Sequence, residues 1–124
     1  MKVEINTLEN LKHVSSILHD ARFVIEGINL DKQKQTFDLK CWQLERIPKI
    51  DKPSWKAYHL NFTGLKDFKF EMAEKVSYYE LATMRFSERD GLLNLITHYG
   101  VEIVLTLEKL SGWLVGAEEI KTDW

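Results

Sequence analysis

Residues 93–107, LNLITHYGVEIVLTL, decide the fold class because apolar side chains recur at every second position on both sides of Gly100. A period of two is typical of β-strands that bury one face. An amphipathic helix over residues 92–99, capped by Ser87, fits the same leucines. The alternation that continues to the end of the stretch favours two strands paired across a tight turn at the glycine.

A second hairpin is predicted upstream of this stretch. Its first strand starts at Arg22, places Phe23 and Ile25 on one face, and runs to the polar turn at residues 31–34. Its second strand alternates in the same way. The apolar face of that second strand consists of Phe37, Leu39 and Cys41.

Shorter alternating runs predict the other strands of the sheet. The run at residues 78–86 places Tyr78, Glu80 and Met84 on one face and Tyr79 and Leu81 on the other. Such patterns are typical of strands in an antiparallel sheet. The remaining runs cover residues 58–62, 68–72 and 113–115.

An amphipathic helix of about four turns precedes these strands. Asn6 and Glu9 have the spacing of a capping box at its start, and Val3 and Ile5 form a short strand before it. The apolar stripe of the helix contains Leu8, Leu11, Val14 and Leu18. We therefore predict one α+β domain over residues 1–124, with the N-terminal helix packed on a mostly antiparallel sheet or sandwich of about seven or eight strands.

Composition excludes several classes of protein. With 124 residues, 44% of them hydrophobic and 29% charged, the chain is neither disordered nor dependent on disulfides. The net charge of −2 gives no basic surplus, so we expect no nucleic-acid partner. The lone Cys41 favours a reducing, cytoplasmic environment. The sequence contains no apolar run long enough for a membrane span, so we expect no membrane association.

The charges are unevenly distributed along the chain. Residues 31–69 carry 9 basic and 5 acidic side chains, whereas residues 70–124 carry 5 basic and 10 acidic ones. Neighbouring strands can mix these segments within one sheet, so the asymmetry predicts a charged surface only where the pairing keeps them apart.

Motifs of catalysis or metal binding do not occur in this sequence. It contains no CxxC, HxxxH, HExxH or phosphate-binding glycine pattern, so a metal site would have to assemble from distant strands. We interpret His19-Asp20 as the end of the helix and Cys41 as a small core side chain. His98 and Glu80 are read as ordinary sheet residues. We therefore expect a non-enzymatic protein without cofactor or metal, whose polar groups do not meet to perform a reaction.

The proline-containing loop at residues 46–55 is the predicted contact surface. Pro48 and Pro53 stiffen it, which reduces the entropy lost on binding. Arginine and tryptophan are also enriched among residues that dominate binding energies. The predicted binding residues are Arg46, Lys49, Lys52, Trp55 and Lys56.

Two other hypotheses come from the same sequence. A pocket between helix and sheet, lined by Trp42, Tyr58 and Trp113, would suit a small molecule or an enzyme substrate. An exposed strand edge would allow homodimers to form by strand pairing.

Three segments resemble those of small bacterial α+β families. The segments are LHDA at residues 18–21, LNFTGL at residues 60–65 and LITHYGVEI at residues 95–103. Some of these families are regarded as immunity proteins of contact-dependent toxin systems. The resemblance implies an α+β fold and a protein partner, and it transfers no catalytic residue.

Overall fold

The computed structural model describes residues 2–45, 54–71, 77–98 and 101–120. They form one α-helix, α1 (Leu8–Ile17), and ten strands. The strands are β1 (Lys2–Ile5), β2 (Arg22–Phe23), β3 (Ile28–Asp31), β4 (Thr36–Glu45), β5 (Ser54–Thr63), β6 (Leu65–Glu71), β7 (Tyr79–Ser87), β8 (Leu92–Thr97), β9 (Glu102–Leu107) and β10 (Gly112–Ile120).

The predicted α+β class and antiparallel sheet are confirmed, but the predicted strand number is wrong. Ten strands are present because the predicted first strand is interrupted by a 3-10 turn at Ile25–Gly27, which separates β2 from β3. Ile25 is exposed rather than buried in a continuous strand. The strand interpretation of residues 92–97 is confirmed, since β8 pairs with β9.

The ten strands form one strongly curved sheet. Its order is β1-β10-β5-β4-β2-β7-β8-β9-β6, with β3 paired to β4 outside this path. Phe37 on β4 and Phe68 on β6 stack with their ring centroids 6.2 Å apart, although four strands separate them in that order. The two halves of the sheet therefore face each other across the core, and the two-residue strand β2 connects them.

A bulge in β7 changes the predicted faces of that strand. The register against β8 shifts between Leu81 and Thr83, so Tyr79, Leu81 and Met84 are the buried positions. A bulge inserts an extra residue, which moves the following side chains to the other face. The prediction that Tyr78, Glu80 and Met84 share a face is therefore wrong.

The helix is shorter than predicted and begins one residue later. Thr7 is the N-cap, and its hydroxyl accepts a hydrogen bond from the Asn10 amide at 3.1 Å. Asn6 is therefore not the cap. Leu8 is 47% exposed because it lies in the first turn, outside the buried stripe. The buried stripe is formed by Leu11 and Val14, followed after the helix by Leu18.

The helix does not lie across a sheet face as predicted. A strand precedes it, and its main contacts are with β1 and β7, which lie far apart in the strand order. Because neighbouring strands are about 4.8 Å apart, a flat sheet would place β1 and β7 too far apart for one short helix to touch both. The helix therefore bridges two parts of the curved sheet.

Strand pairing mixes the differently charged segments of the chain. The basic segment supplies β5 and β6, and the acidic segment supplies their neighbours β10 and β9. At the two ends of the strand order, β1 carries Lys2 and Glu4 and β6 carries Lys66, Asp67, Lys69 and Glu71. Charged side chains on an edge oppose strand pairing with another molecule. Homodimerisation through an edge stays a prediction.

The described helix has only ten residues. A membrane-spanning helix needs about 20 apolar residues, so no helix in the described part of the chain can cross a bilayer.

The contact between α1 and the β7 bulge supplies a stability prediction. The Met84 amide donates to Ser15 Oγ at 3.0 Å, and Ser15 Oγ also lies 3.3 Å from Thr83 Oγ1. Replacing Ser15 with alanine removes the acceptor of a partly buried amide, which costs about 1–3 kcal/mol. Urea unfolding should show Ser15→Ala to be less stable than the wild type by that amount.

Ser16→Ala is the matched control because Ser16 is the exposed neighbour on the same helix. Both substitutions gain the same helix propensity, so their difference isolates the contacts of the Ser15 hydroxyl with Met84 and Thr83. Equal stability of the two variants would contradict this role of Ser15.

Candidate functional site

An open cleft of about 390 Å³ lies where the chain leaves α1 and enters the sheet. Residues from four strands and from the turn after the helix contribute to it. Its lining consists of His19, Asp20, Arg22, Gln43, Leu44, Trp55 and Glu80.

Asp20 fixes the turn that forms one wall of the cleft. Its φ angle is +67°, in the left-handed region that aspartate adopts more readily than most residues. Its amide donates to the Leu81 carbonyl at 2.7 Å, and the Leu81 amide donates to the Ala21 carbonyl at 2.8 Å. These two bonds attach the end of the helix segment to β7, beside Glu80.

His98, directly after β8, contacts the Asp20 side chain that lines the cleft. Its Nε2 donates to Asp20 Oδ1 at 2.8 Å. The preceding residue, Thr97, is buried, and its hydroxyl donates to the Val101 carbonyl at 2.7 Å. That bond holds the chain where His98 leaves the strand. One ligating atom each of Asp20, Glu80 and His98 lies within 4.8 Å of the others.

His19 is oriented by a backbone carbonyl of β7. Its Nδ1 lies 2.8 Å from the Ala82 oxygen. Because a carbonyl oxygen only accepts, Nδ1 must carry the proton, and the neutral ring has its lone pair on Nε2. That Nε2 lies 3.6 Å from Asp20 Oδ1.

Gln43 supports His19 from β4. Its Nε2 donates to the His19 carbonyl at 2.9 Å, which fixes the orientation of the amide. Its Oε1 is buried and has no hydrogen-bond partner among the described residues. The cleft therefore contains an acceptor that the described part of the chain leaves unsatisfied, which is uncommon in folded proteins.

Arg22 is held between two aromatic rings at the rim of the cleft. Its guanidinium carbon lies 5.0 Å from the Trp55 ring centroid and 4.6 Å from that of Tyr78. Within the described residues the guanidinium makes no ion pair or hydrogen bond. Stacked arginine retains its N–H donors at the edge of the plane, where they can bind a carboxylate in a bidentate manner.

The arrangement supports two kinds of chemistry. An imidazole hydrogen-bonded to a carboxylate can transfer protons, as His98 and Asp20 are placed to do. Imidazole nitrogens and carboxylate oxygens can also bind a divalent transition metal. Residues from the helix end, β7 and β8 therefore converge, and the expectation that the polar groups of this chain do not meet to perform a reaction stays a prediction.

The structure places only part of the predicted contact loop. Arg46, Lys49 and Lys52 lie outside the described residues. Trp55 is 5% exposed and lines the cleft beneath Arg22. It therefore belongs to the candidate site as a buried lining residue and not as an exposed residue of a loop. Lys56 is half-buried on β5, opposite Gln43.

The three aromatic residues of the predicted pocket do not lie together. Tyr58 pairs with Cys41 and is buried in the core. Trp42 follows Cys41 on β4 and pairs with Ala57. Its side chain therefore lies on the opposite face of the sheet from that of Tyr58. Trp113 is on β10, where the Lys2 ammonium lies 4.3 Å from its ring centroid. The cleft between helix end and sheet is lined by other residues.

The sequence predicts that the helix ends at His19-Asp20 but does not indicate the partners of these two residues. Glu80 and His98 looked like ordinary sheet residues because nothing in their local pattern distinguishes them. One local signal was available, since an aspartate directly after a helix is a residue type that tolerates the left-handed conformation.

Cys41 belongs to the core and supplies a reactivity prediction. It is fully buried, and desolvation, with a further contribution from the Asp38 charge, raises its pKa from 9.0 to about 12. At pH 8 the thiolate fraction is then about a thousandfold lower than that of an unperturbed thiol. A thiol reagent such as DTNB should label the unfolded chain promptly and the native protein only as fast as it unfolds.

The unfolded protein at the same pH is the control for the reagent. Rapid labelling of the native protein, faster than its measured unfolding rate, would contradict the buried position of this thiol.

No protein-family model, curated protein or solved structure matches this chain.

Proposed function

We propose that this protein binds a protein partner without catalysing a reaction, and that the cleft at the end of α1 is its contact site. The observation that carries the proposal is the Arg22 guanidinium held between Trp55 and Tyr78. Arginine, tryptophan and tyrosine are the residue types most enriched among those that dominate binding energies.

The partner's contact residue is an aspartate or glutamate. Arg22 is pre-oriented by its two rings, and no described residue uses its N–H donors. A charge-assisted pair with a partner carboxylate would use them without first ordering a flexible side chain. Pre-organisation of this kind reduces the entropy lost on association.

The openness of the cleft favours a macromolecular partner over an enclosed small molecule. The side chains of His19 and Asp20 are each 57% exposed. Small-molecule sites usually bury about 70–90% of the ligand surface, which a cleft with such exposed walls does not provide. A protein surface can cover the cleft together with its rim.

The resemblance to immunity-like families supports the same proposal. The LHDA segment at residues 18–21 includes His19 and Asp20, which line the cleft. An immunity-like role would place a toxin in the position of the partner, and binding alone would be sufficient for inhibition.

A small-molecule ligand or substrate is the second candidate function. The observation that favours it is the 2.8 Å contact of His98 with Asp20, beside Glu80, because an oriented imidazole can act as a general base. A metabolite that raises the melting temperature of the wild type but not of Asp20→Asn would support this alternative.

The binding proposal is tested with Arg22→Gln, which removes the charge and the stacked plane. Wild-type protein immobilised as bait should retain one protein from a lysate of the source cells in stoichiometric amount. After purification of that protein, Arg22→Gln should weaken its binding by roughly 30-fold, as expected for a residue worth about 2 kcal/mol.

Arg85→Gln is the matched control because Arg85 is an exposed arginine on β7 outside the cleft. It should bind the partner within about twofold of the wild type, since exposed charges away from a contact contribute little. Equal binding by both variants would refute the role of the cleft, and failure of the wild type to retain any protein would refute the proposal itself.

A further inference from the structure

We infer that Asp20, Glu80 and His98 form a binding site for a divalent first-row transition metal such as Zn²⁺, with His19 as a fourth ligand. Their ligating atoms come from the helix-end turn, β7 and β8, and those of the first three lie within 4.8 Å of one another. The donor set of two imidazole nitrogens and two carboxylates suits zinc and its neighbours.

A bound cation would offset the negative charges in this cluster. Asp20 accepts from His98, whereas the Glu80 carboxylate accepts no hydrogen bond from the described residues although it is half-buried. Two carboxylates brought close together repel each other unless a cation or a proton is shared between them. Arg22 does not supply that charge, because it forms no ion pair with any described carboxylate.

His19 has the arrangement of a metal-ligating histidine. Such residues almost always donate their other ring N–H to a carboxylate or a backbone carbonyl. His19 Nδ1 does so to Ala82, which leaves the Nε2 lone pair 3.6 Å from Asp20 Oδ1. A cation that both atoms bind would lie between His19 Nε2 and Asp20 Oδ1.

Zinc binding requires the cluster to rearrange, because the three ligand atoms within 4.8 Å of one another must reach a common spacing and His19, outside that group, must move towards them. Ligand atoms on a tetrahedral zinc ion are roughly 3.3–3.5 Å apart, as bond lengths of about 2.0–2.2 Å imply. The contact of His98 Nε2 with Asp20 Oδ1 at 2.8 Å must therefore widen by less than an ångström. The ion then takes the position of the Nε2 proton, so the neutral His98 ring changes tautomer: the proton on Nε2 is released to solvent and Nδ1 takes one up.

This site does not depend on the proposed protein partner. The aromatic pair that holds Arg22 contributes no ligand to it, and the metal can be tested with the isolated protein. Nitrogen ligands favour zinc over magnesium, which prefers oxygen and retains its water.

The test is isothermal titration of metal-free protein with ZnCl₂, and with MgCl₂ for comparison. We expect one zinc ion per chain and at least tenfold weaker binding of magnesium. Asp20→Asn and His98→Gln should each weaken zinc binding on the order of tenfold to hundredfold. Asparagine also tolerates the left-handed backbone of position 20, so this variant should fold.

The chain contains a matched control pair outside the cleft. His59 and Asp38 on β5 and β4 form a second imidazole–carboxylate contact, with Nδ1 and Oδ2 3.5 Å apart. Asp38→Asn and His59→Gln should bind zinc within about twofold of the wild type. If Asp20→Asn proves unstable, Glu80→Gln replaces it, since Glu80 forms no hydrogen bond with the described residues.

Three results would overturn the inference. The first is the absence of saturable zinc binding to the wild type. The second is an equal loss of affinity in the cleft variants and the control variants. The third is binding of zinc by Asp20→Asn and His98→Gln as tightly as by the wild type, which would place the ion on other histidines.

Discussion

The reciprocal backbone contact between the helix end and β7 is the constraint on which the site depends. The Asp20 amide donates to Leu81 and the Leu81 amide donates to Ala21, at 2.7 and 2.8 Å. Between them the chain turns at Asp20, whose backbone is in the left-handed conformation. If this turn opened, His19 and Asp20 would leave β7, and the cleft would lose one wall.

The same contact explains why polar groups gather at this place. β2 follows the turn directly and is only two residues long, and it pairs with β4 on one side and with β7 on the other. Arg22 is therefore opposite both Trp42 and Glu80. Because β2 connects the two halves of the curved sheet, side chains from both halves meet around it.

Alternation of apolar residues predicted most of the fold, because a period of two is a local property that any single strand shows. The pairing of β8 with β9 and the buried face of Phe37, Leu39 and Cys41 are examples, whereas the turn predicted at Gly100 lies outside the described residues. The bulge after Leu81 and the break at Ile25–Gly27 were missed, since both depend on which strands pair and in what register.

The candidate site was less predictable for the same reason. His19 and Asp20 are adjacent in sequence, but Glu80 and His98 join them only through the pairing of β2 with β7 and of β7 with β8. The spacing of residues along the sequence does not indicate which strands pair. The predicted contact residue Trp55 does lie at the site, because β5 continues the sheet past β4.

The convergence of the helix end with β7 and β8 is tested most directly by the tautomers of the histidine rings. Two-bond nitrogen–proton NMR correlations at alkaline pH should show the proton of His19 on Nδ1 and that of His98 on Nε2, as their partners require. His13 on the exposed side of α1 is the internal reference, because no described residue bonds to its ring. If His19 and His98 showed the same tautomer mixture as His13, His19 would not contact Ala82 on β7 and His98 would not contact Asp20, and the convergence would be contradicted.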